Sequence, residues 1–226
     1  MNPITRTRES AFSYQCNACN NCCHNKLIQI NPYELLRLSS CLGISTTQFR
    51  KKHLDGQFLK QNKVSGACQF LGKEGCTVHK DRPLVCRLYP LGRLRMDNGN
   101  ERFTELEPHP KSKGVYGGAS KVRDYLKTQK VSSFLKAEKS YLKLIKQMAI
   151  SALNDESCKK DEAGPFKSTK KAIGYTEWIL DPDPIIEKYC ASKNIKIPTK
   201  VEQKVKLHIA AIQSWVEGKW DILSVT

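Results

Sequence analysis

Four cysteines fall within eight residues in the stretch Cys16-Asn17-Ala18-Cys19-Asn20-Asn21-Cys22-Cys23, in the pattern C-x2-C-x2-C-C. Thiolate sulfur is the ligand that zinc and iron–sulfur clusters prefer. A C-x2-C unit lets two sulfurs from one tight turn reach one centre, and the asparagine neighbours do not make an apolar core. The stretch therefore predicts metal ligation. A metal held there would staple a region that has few apolar residues.

Three more cysteines follow within the first 86 residues, on a predicted hairpin and a predicted turn. They would close the N-terminal loop onto the hairpin by supplying the distant ligands. The predicted metal ligands are Cys16, Cys19, Cys22, Cys23, Cys68, Cys76 and Cys86. The predicted cofactor is an iron–sulfur cluster, with the 4Fe-4S type favoured, or Zn²⁺. Seven thiols exceed what one ion or cluster uses, so the choice among them stays open.

Neighbouring side chains usually diverge, so we do not expect Cys22 and Cys23 to bind the same ion. His24 and His79 lie close to the cysteines and could complete a site, although a polar surface or supporting role suits them better. Arg82 and Arg87 either offset the negative charge of the thiolates or are solvated surface residues. The remaining cysteines are predicted to be small buried hydrophobic residues; they are Cys41, Cys158 and Cys190.

The predicted fold class is α+β: a small cysteine-rich, metal-stapled region with short helices and β-hairpins, then a mainly helical C-terminal part. Residues 1–14 show no clear pattern, and helices are predicted at 31–42 and from 45 to about 54. Hairpins are predicted around Gly72–Gly75 and Asp97–Asn100. Later helices are predicted at 120–128, 132–153, 183–191 and about 199–215. The predicted domains are residues 1–110 and 111–226, with a linker at 107–118 and a loop at 154–171.

The longest predicted helix, Ser132 to Leu153, is amphipathic and basic. Its predicted apolar face consists of Leu135, Leu142, Ile145, Ala149 and Ala152. Beside that face runs a stripe of lysines, namely Lys136, Lys139, Lys143 and Lys146.

The formal net charge is +16, and half of it falls on residues 111–150 with ten Lys or Arg and two Asp or Glu. Such an excess predicts an anionic partner: nucleic acid, anionic lipid or an acidic protein. Nucleic acid is possible but not favoured, because the segment is rich in lysine and has one arginine, whereas base and bidentate phosphate contacts favour arginine. No transmembrane segment and no secretory signal are predicted. We therefore expect a cytoplasmic protein whose cysteines do not form a disulfide framework.

Beyond spacing, several runs of the sequence resemble a known family, the YkgJ-type cysteine-cluster (CxxCxxCC) proteins, which are described as zinc- or iron-chelating. The runs are the opening stretch, Cys68-Gln69-Phe70-Leu71, Gly75-Cys76-Thr77-Val78-His79, and Arg82-Pro83-Leu84-Val85-Cys86-Arg87-Leu88-Tyr89-Pro90. The resemblance covers roughly residues 14–92 and includes all seven candidate ligands. It implies zinc or iron binding. One distant branch of the family includes flagellin lysine N-methylases, which resemble iron–sulfur enzymes.

Two functions compete. The first is a cytosolic iron–sulfur or zinc protein with a redox or protein-modifying activity on a protein or small-molecule substrate. The second is a zinc-stabilised binding module whose basic helix, Ser132 to Leu153, contacts nucleic acid or an acidic protein. Hydrolase motifs such as G-x-S-x-G and H-E-x-x-H are missing from the sequence, so nothing supports hydrolase chemistry. Whether the protein is an enzyme of another kind is left open.

Overall fold

The computed structural model of the protein describes residues 5–17, 19–96, 98–107, 109–154 and 179–221. The chain divides into two compact units. Unit 1 consists of Met1–Ile30 and His53–Phe134, and unit 2 consists of Asn31–Lys52 and Leu135–Thr226. The mixture of short strands and helices confirms the predicted α+β class. The predicted domain boundary between residues 110 and 111 stays a prediction, and the two units divide the chain elsewhere.

All described strands are short and antiparallel. In chain order they are β1 (Thr5–Arg6), β2 (Tyr14–Gln15), β3 (Leu54–Asp55), β4 (Phe58–Leu59), β5 (Leu71–Gly72), β6 (Gly75–Cys76), β7 (Leu91–Arg95), β8 (Glu101–Glu105) and β9 (Val115–Tyr116). Strands β1, β8 and β7 form one sheet in that order, and the others pair as β2–β9, β3–β4 and β5–β6. Both predicted hairpins are confirmed, as β5–β6 and β7–β8.

The described helices are more extensive and lie mostly after residue 120. They are α1 (Pro32–Leu42), α2 (Thr46–His53), α3 (Leu84–Leu88), α4 (Val122–Thr128), α5 (Ser132–Asn154), α6 (Pro182–Lys193) and α7 (Val201–Val216). Short 3-10 turns lie at Asn21–Cys23 and His79–Asp81. Most of the loop predicted at 154–171 lies outside the described residues. Among the described residues, no helix combines the length and hydropathy needed to cross a membrane.

Helix α1 begins as its sequence predicts. The Asn31 side chain accepts a hydrogen bond from the Glu34 main-chain N–H, and the Glu34 carboxylate accepts one from the Asn31 N–H, both at 3.0 Å. Pro32 occupies the first turn, where its missing N–H costs nothing. Gly43 ends the helix at φ 66°, a conformation that favours glycine. Local chemistry alone therefore fixes both ends of this helix.

The N-terminal arm, for which the sequence shows no pattern, is part of the sheet of unit 1. Arg6 pairs with Phe103 of β8, whose side chain is fully buried. Phe12 is also buried, and its N–H donates to the Ser120 carbonyl oxygen at 3.0 Å. The arm gains its order from partners about 100 residues away, so no local pattern could reveal it.

The prediction of a linker is wrong for residues 109–118, because they include a paired strand. Strand β9 pairs with β2, in the register Tyr14 to Tyr116 and Gln15 to Val115. Gly114 of this segment lies against the Tyr14 ring, where a Cβ atom would come within 2.2 Å of the Tyr14 hydroxyl oxygen.

The predicted apolar face of α5 is also wrong. Ile145 and Ala149 are exposed, and Leu135 and Leu142 are half-buried; the side chain of Ala152 lies outside the described set. Within unit 2 the buried residues of α5 are Ala137, Tyr141, Leu144 and Met148. The Tyr141 hydroxyl lies 2.9 Å from Nδ1 of His208, which is equally buried. This hydrogen bond lets a tyrosine occupy the core, and the helix turns its aromatic side inward.

Candidate metal centre

The β5–β6 hairpin positions two of the candidate ligands. Cys76 pairs with Leu71 across the hairpin, and the Leu71 N–H donates to the Cys68 carbonyl oxygen at 2.9 Å. Gly75 has φ 110°, which allows the tight two-residue turn. Cys68 and Cys76 therefore lie at the base of one small, hydrogen-bonded turn.

The cysteine loop is joined to this hairpin by main-chain hydrogen bonds. The Cys68 N–H donates to the Cys23 carbonyl oxygen at 2.8 Å, and the Asn25 N–H donates to the Gly66 carbonyl oxygen at 2.8 Å. The 3-10 turn Asn21–Cys23 directly precedes this contact. The two halves of the predicted site, separated by more than 40 residues in sequence, thus meet through the backbone.

Cys86 comes from the short helix α3, which Arg87 holds in place. The buried Arg87 guanidinium donates to the carbonyl oxygens of Arg82 and Gln129, each at 3.0 Å, and to that of Lys80. It also lies 4.4 Å from the centroid of the Phe134 ring. Arg87 is therefore a structural latch and not one of the solvated arginines.

Six of the seven predicted ligands interact electrostatically with one another. The hydrogen bond between the thiols of Cys22 and Cys23 lowers the pKa of Cys22 and raises the pKa of Cys23. This interaction joins the two thiols, although neighbouring side chains usually diverge. Desolvation and the charges of Cys86 and Cys76 raise the pKa of Cys23 further, so three segments of the chain contribute to one group.

Burial and nearby charges both shift the pKa values of the hairpin thiols. Burial raises the pKa of Cys68 and of Cys76, and their mutual repulsion adds to the shift at Cys68. The positive charge of Arg82 lowers the pKa of Cys76. Arg82 thus offsets thiolate charge, the role that the sequence left open for it. A bound cation would supply the same compensation more strongly.

The first two cysteines lie at the edge of the group. Cys19 accepts a hydrogen bond from the Lys113 main-chain N–H, with 3.3 Å between nitrogen and sulfur, and this bond lowers the pKa of Cys19. The charge of Cys22 also acts on Cys19. Cys16 is exposed, and its charge acts on the hydroxyls of Tyr14 and Tyr125. Cys16 is therefore the most peripheral of the seven.

The thiols fit a soft metal in kind and in location. Within the described part of the chain, no three Cys, His, Asp or Glu side chains already stand in the geometry of a metal site. Rotation about χ1 moves a sulfur without moving the backbone, and metal binding is commonly coupled to such local ordering. The donor set, several thiols from three hydrogen-bonded segments, suits zinc or an iron–sulfur cluster.

The histidines beside the cysteines have other contacts. His79 receives a hydrogen bond on its carbonyl oxygen from Arg82 at 2.7 Å, and burial together with the charge of Arg82 lowers the pKa of its ring. The backbone of His24 forms a bridge to Ala67. The charge of His24 also lowers the pKa of Cys22, after the larger effects of Cys23, burial and Lys26, so the role of these histidines beside the thiols stays a prediction.

Two of the other cysteines, Cys41 and Cys190, belong to unit 2. Cys190 is buried, as predicted, whereas Cys41 is exposed and the prediction for it is wrong. Leu42 of the same helix end is exposed too, because α1 turns Leu35 and Leu38 inward. Cys158 lies outside the described residues.

Sequence reasoning missed Lys26. Its ammonium group lies 4.0 Å from the centroid of the Tyr89 ring, and its charge lowers the pKa of Cys22 after the larger effects of Cys23 and burial. A lone lysine near a cysteine run gives no signal in the sequence. Its placement over Tyr89 depends on the contact between the cysteine loop and the segment after α3.

A set of thiols gathered from separate segments of a small fold is typical of metal-binding domains. Residues 15–109 match the model of the CxxCxxCC family, whose description is "Putative zinc- or iron-chelating domain". The predicted resemblance to this family is therefore confirmed for these residues, which make up less than half of the chain. The match supports metal binding and leaves the choice between zinc and iron open.

A relative is found in the archaeon Methanocaldococcus jannaschii. It is an uncharacterised protein that is 28% identical over 121 residues, or 51% of this chain. The match spans 65% of that protein's length, which is less than two thirds. No solved structure matches the chain.

The latch formed by Arg87 can be tested by the substitution Arg87→Lys. Lysine keeps the charge but cannot reach the same carbonyl oxygens with a planar fork. We expect a loss of about 2 kcal/mol in the free energy of unfolding, as for hydrogen bonds to a charged, buried donor. Urea titration measures it, with Arg95→Lys, an exposed arginine on β7, as the matched control. Equal stability of the two variants would contradict the latch.

Proposed function

We propose that unit 1 binds a metal centre through cysteine thiolates, an iron–sulfur cluster in the first instance and zinc as the alternative. The observation that carries the proposal is the main-chain contact that joins the cysteine loop to the β5–β6 hairpin, in which the Cys68 N–H donates to the Cys23 carbonyl oxygen at 2.8 Å. The CxxCxxCC match over residues 15–109 supports the same function independently of that geometry. More than four thiols lie together, which exceeds the need of a single structural zinc.

The proposed ligands are ordered by which thiols interact electrostatically with one another. Cys23 interacts with Cys22, Cys76 and Cys86, so these four are the proposed inner ligands. Cys19 and Cys68 flank them, because each is linked to one member of the inner four. Cys16 is the outermost candidate. Arg82 and Lys26 offset part of the thiolate charge, Arg82 at Cys76 and Lys26 at Cys22.

The identity of the metal decides whether the protein can carry out redox chemistry. A bound iron–sulfur cluster would supply one-electron chemistry. In that case we infer a cytoplasmic redox or protein-modifying enzyme, of the lysine-methylase-like kind that the family resemblance implies, acting on a protein or small-molecule substrate. A reducing compartment suits this proposal, because thiolate ligation requires reduced cysteines.

The proposed metal site is tested by Cys76→Ser in protein purified without oxygen. The native protein should be coloured and hold stoichiometric iron and acid-labile sulfide, or be colourless and hold zinc. Cys76→Ser should lose most of the metal and unfold at lower temperature, because metal binding stabilises the folded state. Elemental analysis and thermal unfolding measure both effects.

The control for that experiment is Cys41→Ser, which changes an exposed cysteine of unit 2 in the same way. It should keep the metal content of the native protein. Full metal content in Cys76→Ser would exclude Cys76 as a ligand. A native protein that holds neither zinc nor iron would remove the proposed function.

A second candidate function rests on the exposed surface of α5. The lysine stripe is exposed along its whole length, and Ile145 beside it is 44% exposed. Because the inward face of the helix is the aromatic one, this apolar residue is left on the outer surface next to the lysines. We propose that this surface binds an acidic protein, with nucleic acid as the less favoured partner. The residues of the stripe are Lys136, Lys139, Lys143 and Lys146.

This second candidate is tested by changing all four lysines of the stripe to glutamine. Binding to a polyanionic protein or to generic DNA at low salt should weaken at least tenfold, because about four ionic contacts are lost. The charge-matched control changes four exposed lysines elsewhere in unit 2, namely Lys193, Lys196, Lys200 and Lys206. Equal weakening in both variants would show that net charge alone governs binding and would exclude the stripe as the surface. Binding by the native protein is measured at several salt concentrations, and it should weaken as salt rises because the contacts are ionic.

A further inference from the structure

Residues 109–116 form a strap that runs along the cysteine loop. Its last residues are β9, which pairs with β2 immediately before Cys16. At its beginning, the His109 N–H donates to the Tyr89 hydroxyl oxygen at 3.2 Å. Residues 110–116 lie beyond the end of the CxxCxxCC match, so the strap contacts made by Lys111 and Lys113 come from a part of the chain outside the matched residues.

The strap binds every second residue of the cysteine loop. The Asn17 side-chain amide donates to the Lys113 carbonyl oxygen at 2.9 Å, and the Asn21 amide donates to the Lys111 carbonyl oxygen at 2.7 Å. Between them, Cys19 accepts from the Lys113 N–H at 3.3 Å. All strap groups in these bonds belong to the main chain. The sequence of the loop, with asparagines on both sides of Cys19, supplies the matching side chains.

Gly114 allows the strap to lie this close. A Cβ atom at this position would come within 2.2 Å of the Tyr14 hydroxyl oxygen, far inside contact distance. The Tyr14 ring is itself packed edge-on against Tyr116 at 5.1 Å and against Tyr89 at 6.2 Å, so it has little room to move aside. The packed Tyr14 ring and the lack of a side chain at Gly114 therefore together determine the path of the strap.

We propose that the strap is part of the metal centre, with the Lys113 main-chain N–H as a hydrogen-bond donor to the sulfur of Cys19, a candidate ligand that flanks the inner four, and with Asn17 and Asn21 as positioning residues. The proposal rests on the metal-binding function proposed above. An N–H group directed at sulfur stabilises the negative charge that a thiolate ligand carries. Holding the loop in its folded path also reduces the entropy that metal binding must otherwise overcome.

The decisive comparison is Lys113→Pro with Lys113→Ala. Proline removes the N–H that donates to Cys19, whereas alanine removes only the exposed side chain and keeps the N–H. In zinc-loaded protein, Lys113→Pro should release Zn²⁺ to a chromophoric chelator about tenfold faster, the lower end of what such supporting contacts contribute. Lys113→Ala should release it at the native rate. Native release by Lys113→Pro would overturn the proposal.

A second pair of variants keeps the test independent of the effect of proline on the backbone. The double substitution Asn17→Ala and Asn21→Ala removes both amide contacts and should also speed zinc release. Its control is Lys111→Ala, which keeps the carbonyl oxygen that Asn21 uses. Release at the native rate by the asparagine variant, together with release at the native rate by Lys113→Pro, would show that the strap does not support the metal.

Hydrogen–deuterium exchange of the metal-free protein separates failure of the strap from failure of the metal site. Amides of residues 14–24 should exchange faster in Lys113→Pro and in the asparagine variant, and at the native rate in the two alanine controls. If exchange follows this pattern but no variant, including the native chain, binds Zn²⁺, the metal role is overturned and the contact stands. Unchanged exchange in all variants would overturn the contact itself.

Discussion

The Cys68 N–H donates a hydrogen bond to the Cys23 carbonyl oxygen at 2.8 Å, and the arrangement of the thiols depends on this contact. It brings the doublet Cys22–Cys23 against the hairpin that carries Cys76. Thiol side chains are short, so sulfurs from distant segments can share a metal only where the backbones already meet. In unit 1 a backbone hydrogen bond creates that meeting, and the buried latch of Arg87 adds the segment that carries Cys86.

Local chemistry explains why some of this could be predicted. The capping box of α1 and the two hairpins each depend on residues within about ten positions of one another, and these elements were predicted correctly. The family resemblance was likewise carried by short runs. The contacts that define the site are different in kind. The bond between Cys19 and Lys113 joins residues that are 94 positions apart, and no local pattern encodes it.

Two of the errors, the linker and the apolar face of α5, have clear physical causes. Residues 107–118 contain glycine and proline, which indicate a turn or linker in isolation but also suit a chain that must pass close to an aromatic ring, as Gly114 does beside Tyr14. On α5, a count of aliphatic residues favoured Leu142 and Ile145. A buried Tyr141 requires a hydrogen-bond partner for its hydroxyl, and the sequence pattern does not show that His208 provides one.

Cysteine sulfurs of unit 1 are the proposed ligands of a metal. X-ray absorption at the iron and zinc edges, on protein purified without oxygen, measures that directly. We expect the protein to hold one of the two metals in stoichiometric amount, with sulfur atoms at about 2.3 Å as the nearest neighbours of the metal. A first shell made only of nitrogen and oxygen, or the lack of either metal in stoichiometric amount, would contradict it.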